Sequence, residues 1–184
     1  FAEVLRQRGY ATSYLGKWHL DGDAKPGWAP PRKFGFSDNR FMFNRGHWKK
    51  FEMTEDGPQV ATTKNGNPVY DLSDADEKSF ATDWLVDRSL EILERDKGKP
   101  FCLMLALPDP HGPNTVRPPY DTMYNHLTFQ QPVTMRKVLA ALQNRPGWVS
   151  GASNAVKKLS QSTLSQYFGM VRCIDDNVGK ILAF

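Results

Sequence analysis

The sequence predicts a loop-rich α/β or α+β domain rather than a helical bundle. Its 184 residues include 13 Pro and 14 Gly, most of them between segments of regular apolar spacing, and such residues separate short elements. The 40% of hydrophobic residues, with 5 Trp and 11 Phe, can fill one sizeable core. An almost uninterrupted apolar run from Phe101 to Leu107, bounded by prolines, is typical of a parallel strand buried on both faces.

The first elements are expected to be a short helix, a strand and a turn. The helix should end at Gly9, because glycine is a common C-terminal stop. The run from Tyr10 to Leu15 is aromatic and rich in hydroxyl groups, which favours a buried strand. That strand delivers Lys17 and His19 at its C-terminal end. Ligands of open α/β sheets bind at this edge.

A long excursion is expected from Asp21 to about Asp76, where periodicity is weak and Pro, Gly and Asn are frequent. We expect it to lie at the surface, with short strands over residues 33–36 and 40–43. Helical spacing then returns from Asp76 to Arg95. The apolar run that follows this helix is expected to be the central strand of the sheet.

The last part of the chain is expected to contain two helices. A short one is predicted over residues 134–142, and a long amphipathic one from about Ser160 to the end, packed on the sheet. No internal repeat or boundary divides residues 1–184, so we treat them as one domain. The apolar residues of the long helix recur at helical spacing: Leu164, Tyr167, Phe168, Val171, Ile174, Val178 and Ile181.

Charge and composition exclude several classes of protein. The net charge of +4 comes from 24 basic and 20 acidic residues spread along the chain, without the dense basic arm of a nucleic-acid-binding protein. No apolar run approaches the roughly 20 residues that span a bilayer. Cys102 and Cys173 lie in apolar segments without metal-ligand spacing, so we expect free thiols and no metal site.

The order of elements places two strand ends, and with them Lys17, His19 and His111, side by side. Lysine supplies a positive charge and three donors, and histidine exchanges a proton near neutral pH. Such a set favours a site for a tetrahedral oxyanion ester. The competing interpretation is that Lys17 is a surface charge and that the histidines form hydrogen bonds in loops.

Three segments resemble the sulfatase family, whose fold is that of the alkaline phosphatase superfamily. Residues 9–20 (GYATSYLGKWHL) are similar to its second signature, and residues 108–113 (PDPHGP) resemble its later histidine segment. Residues 170–182 (MVRCIDDNVGKIL) are similar to the helix that follows. The segments occur in family order and span almost the whole chain. The resemblance therefore implies an incomplete catalytic domain, an α/β three-layer sandwich with a mainly parallel central sheet.

The resemblance also implies a mechanism. In that family a formylglycine, made from Cys or Ser and held beside a calcium ion, attacks sulfur. Lys17 would contact the formylglycine and a sulfate oxygen, His19 would act as the base that expels sulfate, and His111 would bind sulfate and assist the departing alcohol. The maturation motif Cys-x-Pro-Ser-Arg is absent. We expect the nucleophile and the calcium ligands to lie outside this chain, which alone should be inactive.

Further residues are candidates for binding substrate. Residues 45–50 (RGHWKK) mix cations with an aromatic ring, so Arg45 and His47 suit a sulfated sugar, although a solvated loop is the alternative. Asn114 and Arg117, just after His111, are weaker candidates for the rim of the pocket. Asp109 between prolines is interpreted as a turn former. The pair Asp175-Asp176 is interpreted as structural rather than metal-binding.

These features together predict part of a sulfuric ester hydrolase that acts on a sulfated small molecule or glycan. One alternative is a phosphodiesterase or phosphonate hydrolase of the same superfamily, which the missing nucleophile would distinguish. Another is a non-catalytic protein that binds sulfated glycans through residues such as Lys17, Arg45, His47 and Lys49. The resemblance further implies a periplasmic or secreted location.

Overall fold

A computed structural model describes residues 1–21, 25–61, 63–64, 67–68, 72, 74–130, 133 and 160–184. The helix predicted over residues 134–142 lies outside them. The described helices are α1 (Ala2–Gln7), α2 (Ala81–Asp96) and α3 (Gln161–Leu182). The described strands are β1 (Ala11–Lys17), β2 (Met42–Phe43), β3 (Phe51–Thr54), β4 (Gly57–Val60), β5 (Thr63–Lys64), β6 (Asn67–Pro68) and β7 (Phe101–Ala106).

In the part of the chain that the structure describes, the central sheet has three parallel strands in the order β2-β1-β7. Side chains of β1 alternate between its two faces. Tyr14 belongs to a buried cluster with Ala2 of α1, whereas Leu15 belongs to a different cluster with Trp84 and Leu85 of α2. Helices therefore cover both faces, as the α/β three-layer prediction requires.

Gly16 brings the ends of β1 and β7 close together. Its φ of 93° lies in the left-handed region, and a Cβ atom there would lie 2.0 Å from the carbonyl oxygen of Ala106. Any larger residue would force the strands apart. Because Gly16 pairs with Ala106 in register, the chain leaves both strands at the same edge of the sheet.

The excursion was expected at the surface, but much of its described part is core. Phe41, Phe43 and Phe51 are 4% exposed or less and pack with Trp84 of α2 in the main apolar cluster. Aromatic side chains therefore fix this segment despite its weak periodicity. The strand predicted at residues 40–43 is reduced to β2. Residues 33–36 form no strand, because Phe34 and Gly35 adopt positive φ angles in a turn.

Two further predictions, the start of α2 and the position of β7, differ from the structure. Helix α2 begins at Ala81 instead of Asp76, because the Asp76 carboxylate accepts bonds from the backbone N–H groups of Lys78 and Ser79 and stabilises a turn. Strand β7 is an edge strand of the described sheet rather than its centre. Its side chains Phe101 and Met104 are 45% and 37% exposed, and β1 occupies the central position instead.

Helix α3 exists as predicted but packs through a different face. It contacts α2 and the segment around Val116 and Tyr120. A Cβ at Gly169 would lie 2.3 Å from the carbonyl oxygen of Tyr120, so a small residue allows this close approach. Its buried residues are Ser165, Gly169, Met170, Cys173 and Asn177, whereas the predicted contact residues Tyr167, Phe168, Val171 and Val178 are 37–41% exposed.

Candidate functional site

Lys17 is the last residue of β1, and His19 lies in the turn that follows, which is bonded to the chain at the end of β2. The backbone N–H groups of Trp18 and His19 donate to the carbonyl oxygens of Phe43 and Asn44, each over 2.8 Å. His19 has a φ of 67°, a left-handed conformation that is uncommon for histidine. These bonds fix the backbone of the turn, and the His19 side chain remains exposed.

His47 joins the two predicted walls of the site. The Lys17 ammonium nitrogen lies 2.5 Å from His47 Nε2. The His47 ring stacks on the His111 ring, with centroids 3.6 Å apart and planes inclined by 14°. Three predicted site residues from three separate segments are therefore in one cluster.

The hydrogen bonds of His111 assign its tautomer. Its Nδ1 lies 2.9 Å from the carbonyl oxygen of Gly112. A carbonyl oxygen can only accept, so Nδ1–H is the donor and Nε2 is left for a ligand. The His111 side chain is exposed, which allows a ligand to reach it.

The cluster has a surplus of positive charge. The pKa of His47 is lowered to about 4, first by partial burial and then by the positive charges of Lys17, His111, His19 and Lys49. Burial also lowers the pKa of Lys17. The His47 ring is therefore neutral at pH 7 and accepts a hydrogen bond from the Lys17 ammonium group. Such a cluster attracts an anion.

A buried ion pair lies beside the cluster. Lys49 Nζ contacts Asp109 Oδ1, and both side chains are 1% exposed. Thr82 donates to the second carboxylate oxygen over 3.2 Å, and Lys49 also lies 3.3 Å from the sulfur of Met170. Burial raises the pKa of Asp109, and the adjacent ammonium group opposes that rise. Asp109 is thus the partner of a buried lysine, in addition to sitting in a turn.

The remaining predicted binding residues occupy different positions. Arg45 is half-buried, and its carbonyl oxygen accepts from the indole N–H of Trp48 over 2.9 Å. Asn114 is half-buried after His111. Arg117 was placed at the rim but is 3% exposed, with Nε and Nη2 bonded to the Asp83 carboxylate at 2.8 and 2.9 Å. Its guanidinium neutralises a buried acid, so we do not retain Arg117 as a substrate-binding residue.

Sequence reasoning missed the buried polar residues around Asp83. Asn177 Nδ2 donates to Asp83 over 2.9 Å, and the Cys173 thiol lies 3.7 Å from the same carboxylate. Burial and the charge of Asp83 raise the pKa of Cys173 to about 12. This thiol is therefore inert near neutral pH. The carboxylates of Asp175 and Asp176 both form ion pairs with Arg172.

The described residues give two negative findings. No group of three or more His, Cys, Asp or Glu side chains among them is placed to hold a metal ion. None of the described helices combines the length and apolar character that crossing a membrane requires.

Comparisons with known proteins find relatives that are named as sulfatases. An N-acetylglucosamine-6-O-sulfatase of Bacteroides thetaiotaomicron is 29% identical over 137 residues, which are 73% of this chain and 21% of that protein. The solved structure of the putative sulfatase yidJ from Bacteroides fragilis covers 99% of this chain at 20% identity, with a TM-score of 0.60. A structure of BT4656 in complex with its substrate D-glucosamine-2-N,6-O-disulfate also covers 99% of this chain, at 19% identity and with a TM-score of 0.56.

These similarities have a defined extent. The two structural matches are distant in sequence and establish the fold, an alkaline-phosphatase-like α/β sandwich. The match covers 21% of the length of the N-acetylglucosamine-6-O-sulfatase. It covers 38% of the length of the yidJ chain and 45% of that of the BT4656 chain. A sequence profile of the Sulfatase family matches residues 1–183, so the chain belongs to the sulfatase family.

Proposed function

We propose that the complete protein carrying this chain hydrolyses a sulfate monoester, and that Lys17, His19 and His111 contact the sulfate group. The observation that supports this most directly is the cluster at the ends of β1 and β7, where the Lys17 ammonium contacts Nε2 of His47 and the His111 ring stacks on the His47 ring. A lysine and exposed imidazoles with surplus positive charge suit the anionic, non-bridging oxygens of a sulfate ester.

Each of the three side chains has a chemical task in this proposal. Lys17 uses ammonium N–H groups not bonded to His47 to bind sulfate oxygens and offset their charge. His111, in its imidazolium form, keeps the Nδ1 proton on the Gly112 carbonyl oxygen and passes the second proton, at Nε2, to the bridging oxygen as the alcohol departs. His19, exposed in the turn after β1, is the proposed general base of the site.

The described residues do not fit the calcium ion or the formylglycine that the family implies. No group of three or more His, Cys, Asp or Glu side chains among them is placed to hold a metal ion, and neither Cys102 nor Cys173 begins a Cys-x-Pro-Ser-Arg motif. We derive no step through either group and propose that both come from other parts of the complete protein. The purified 184-residue chain should therefore release no sulfate from an aryl sulfate.

The proposed substrate class is a sulfated sugar. This rests on the name of the relative, an N-acetylglucosamine-6-O-sulfatase, and on the cationic segment around Arg45. Arg45 and the amide of Asn114 are proposed to contact the sugar at the rim. A periplasmic or secreted location stays a prediction, which cell fractionation would test.

The test is release of inorganic sulfate by the complete protein from a panel of sulfated substrates. The panel holds N-acetylglucosamine-6-sulfate and an aryl sulfate, with an aryl phosphodiester and an aryl phosphonate as controls. Release from a sulfate ester, lowered at least a hundredfold by Lys17→Met, is the expected result. Faster hydrolysis of the phosphorus esters, read as release of their aryl alcohol, would replace the proposal with the phosphodiesterase or phosphonate hydrolase alternative, and binding of sulfated glycans without turnover would replace it with the non-catalytic one.

A further inference from the structure

We propose that His47 is a positioning residue of this site, whose ring accepts a hydrogen bond from Lys17 and supports the ring of His111. The proposal rests on the proposed function for the identity of the anion, but its contacts are independent of turnover. It assigns His47 a role through Lys17 and His111 rather than a direct contact with the reacting atoms.

The position of His47 is fixed from outside its own segment. Lys49 follows His47 by two residues, and Asp109 precedes His111 by two residues. The buried ion pair between Lys49 and Asp109 therefore ties together the two segments that carry the stacked rings. Contacts of the same pair with Thr82 of α2 and Met170 of α3 connect it to the core. The stack is thus anchored to the core and does not depend on a free surface loop.

The contact with Lys17 restricts a side chain that is otherwise flexible. Lysine carries its charge on a four-carbon stem with three donors. One donor directed at His47 Nε2 fixes the ammonium group and leaves two for sulfate oxygens. An ammonium placed in advance loses less entropy when the anion binds, which raises affinity without any added contact.

The charges around His47 favour this role over that of a cationic sulfate ligand. Lys17 faces it from the end of β1, His19 from the turn after β1, His111 from the segment after β7, and Lys49 from its own segment. Lys49 is neutralised by Asp109, whereas the ammonium of Lys17 points at the ring. A protonated His47 would repel Lys17, so the neutral acceptor is the form compatible with this contact.

Binding of inorganic sulfate to the complete protein at pH 7, measured by calorimetry, tests the proposal. His47→Ala should weaken binding about tenfold, the loss expected for one hydrogen bond to a charged group. His47→Gln supplies an amide oxygen in place of Nε2 and should bind within about threefold of the wild type. His126→Ala, at an exposed histidine, is the matched control and should bind like the wild type. Wild-type binding by His47→Ala, or equal losses in the Ala and Gln variants, would overturn the acceptor role.

A second measurement reads the contact without any anion. The His47 ring resonance, assigned by its loss in His47→Gln, should titrate near pH 4 in histidine-labelled protein. Lys17→Met removes the adjacent positive charge and should raise this midpoint. An unchanged midpoint would refute the contact. Wild-type turnover of sulfate esters tests the proposed function separately, so the failure of either idea is distinguishable from failure of the other.

Discussion

Replacement of Asp109 by alanine should destabilise the protein severely, because it leaves the ammonium of Lys49 buried without a counter-charge. Lys49 is 0% exposed. Of the polar contacts of its ammonium group that the structure describes, the sulfur of Met170 at 3.3 Å would remain, and the hydroxyl of Thr82 would lose its acceptor. Breaking a buried ion pair from one side costs about 3–5 kcal/mol. With a urea dependence of roughly 1–3 kcal/mol per M, the unfolding midpoint should fall by roughly 1–5 M.

Urea unfolding of the complete protein, followed by tryptophan fluorescence, measures this change. Asp175→Ala is the matched control, because that carboxylate is 73% exposed and should contribute less than about 1 kcal/mol. The double variant Lys49→Met with Asp109→Leu removes both charges and should recover most of the lost stability. A midpoint for Asp109→Ala equal to that of the control would refute the reasoning that this pair anchors the site.

Two other predictions concern charge in the same region. The pKa of His47 lies near 4 in the folded chain and at about 6.5 in the unfolded chain. Between these pH values the unfolded state binds more protons, so the folded state loses stability as the pH falls from 6.5 towards 4. The melting temperature of the wild type should therefore drop more than that of His47→Gln between pH 7 and pH 4.5, and parallel curves would contradict the assignment. Arg117→Ala leaves the buried carboxylate of Asp83 in contact with Asn177 and the half-exposed Lys180, and it should lower the free energy of unfolding by about 3–5 kcal/mol. The affinity of the folded protein for sulfate should change less than threefold. A large loss of affinity without destabilisation would return Arg117 to the binding site.

The site was more predictable from the sequence than the packing around it. Parallel strands end at one edge, so the positions of Lys17 and His111 after two strand-like runs implied that they meet. The cations in residues 45–50 also pointed to His47. Nothing in that run distinguished Lys49, which is buried, from the neighbouring half-buried Lys50. Two adjacent lysines look alike in the sequence, whatever their burial in the fold.

Helix α3 shows why hydrophobic spacing misidentified a packing face. The pattern counted large apolar side chains, but the contact with the rest of the chain requires close approach at Gly169 and polar bonds from Asn177. Apart from Met170, the buried face therefore consists of small or polar residues, and Phe168 stacks on Phe129 at the outer side. Periodicity correctly predicted that a helix forms there, since that depends on local spacing, whereas the choice of face depended on a distant acid, Asp83.

The most direct test of the central claim is release of inorganic sulfate from N-acetylglucosamine-6-sulfate by the complete protein, compared with its Lys17→Met variant. Methionine keeps the length and apolar stem of lysine and removes the charge and the donors. We predict release by the wild type and a decrease of at least about a hundredfold in kcat/KM for the variant. Equal turnover by the two proteins would contradict the claim that the Lys17 cluster is the sulfate site.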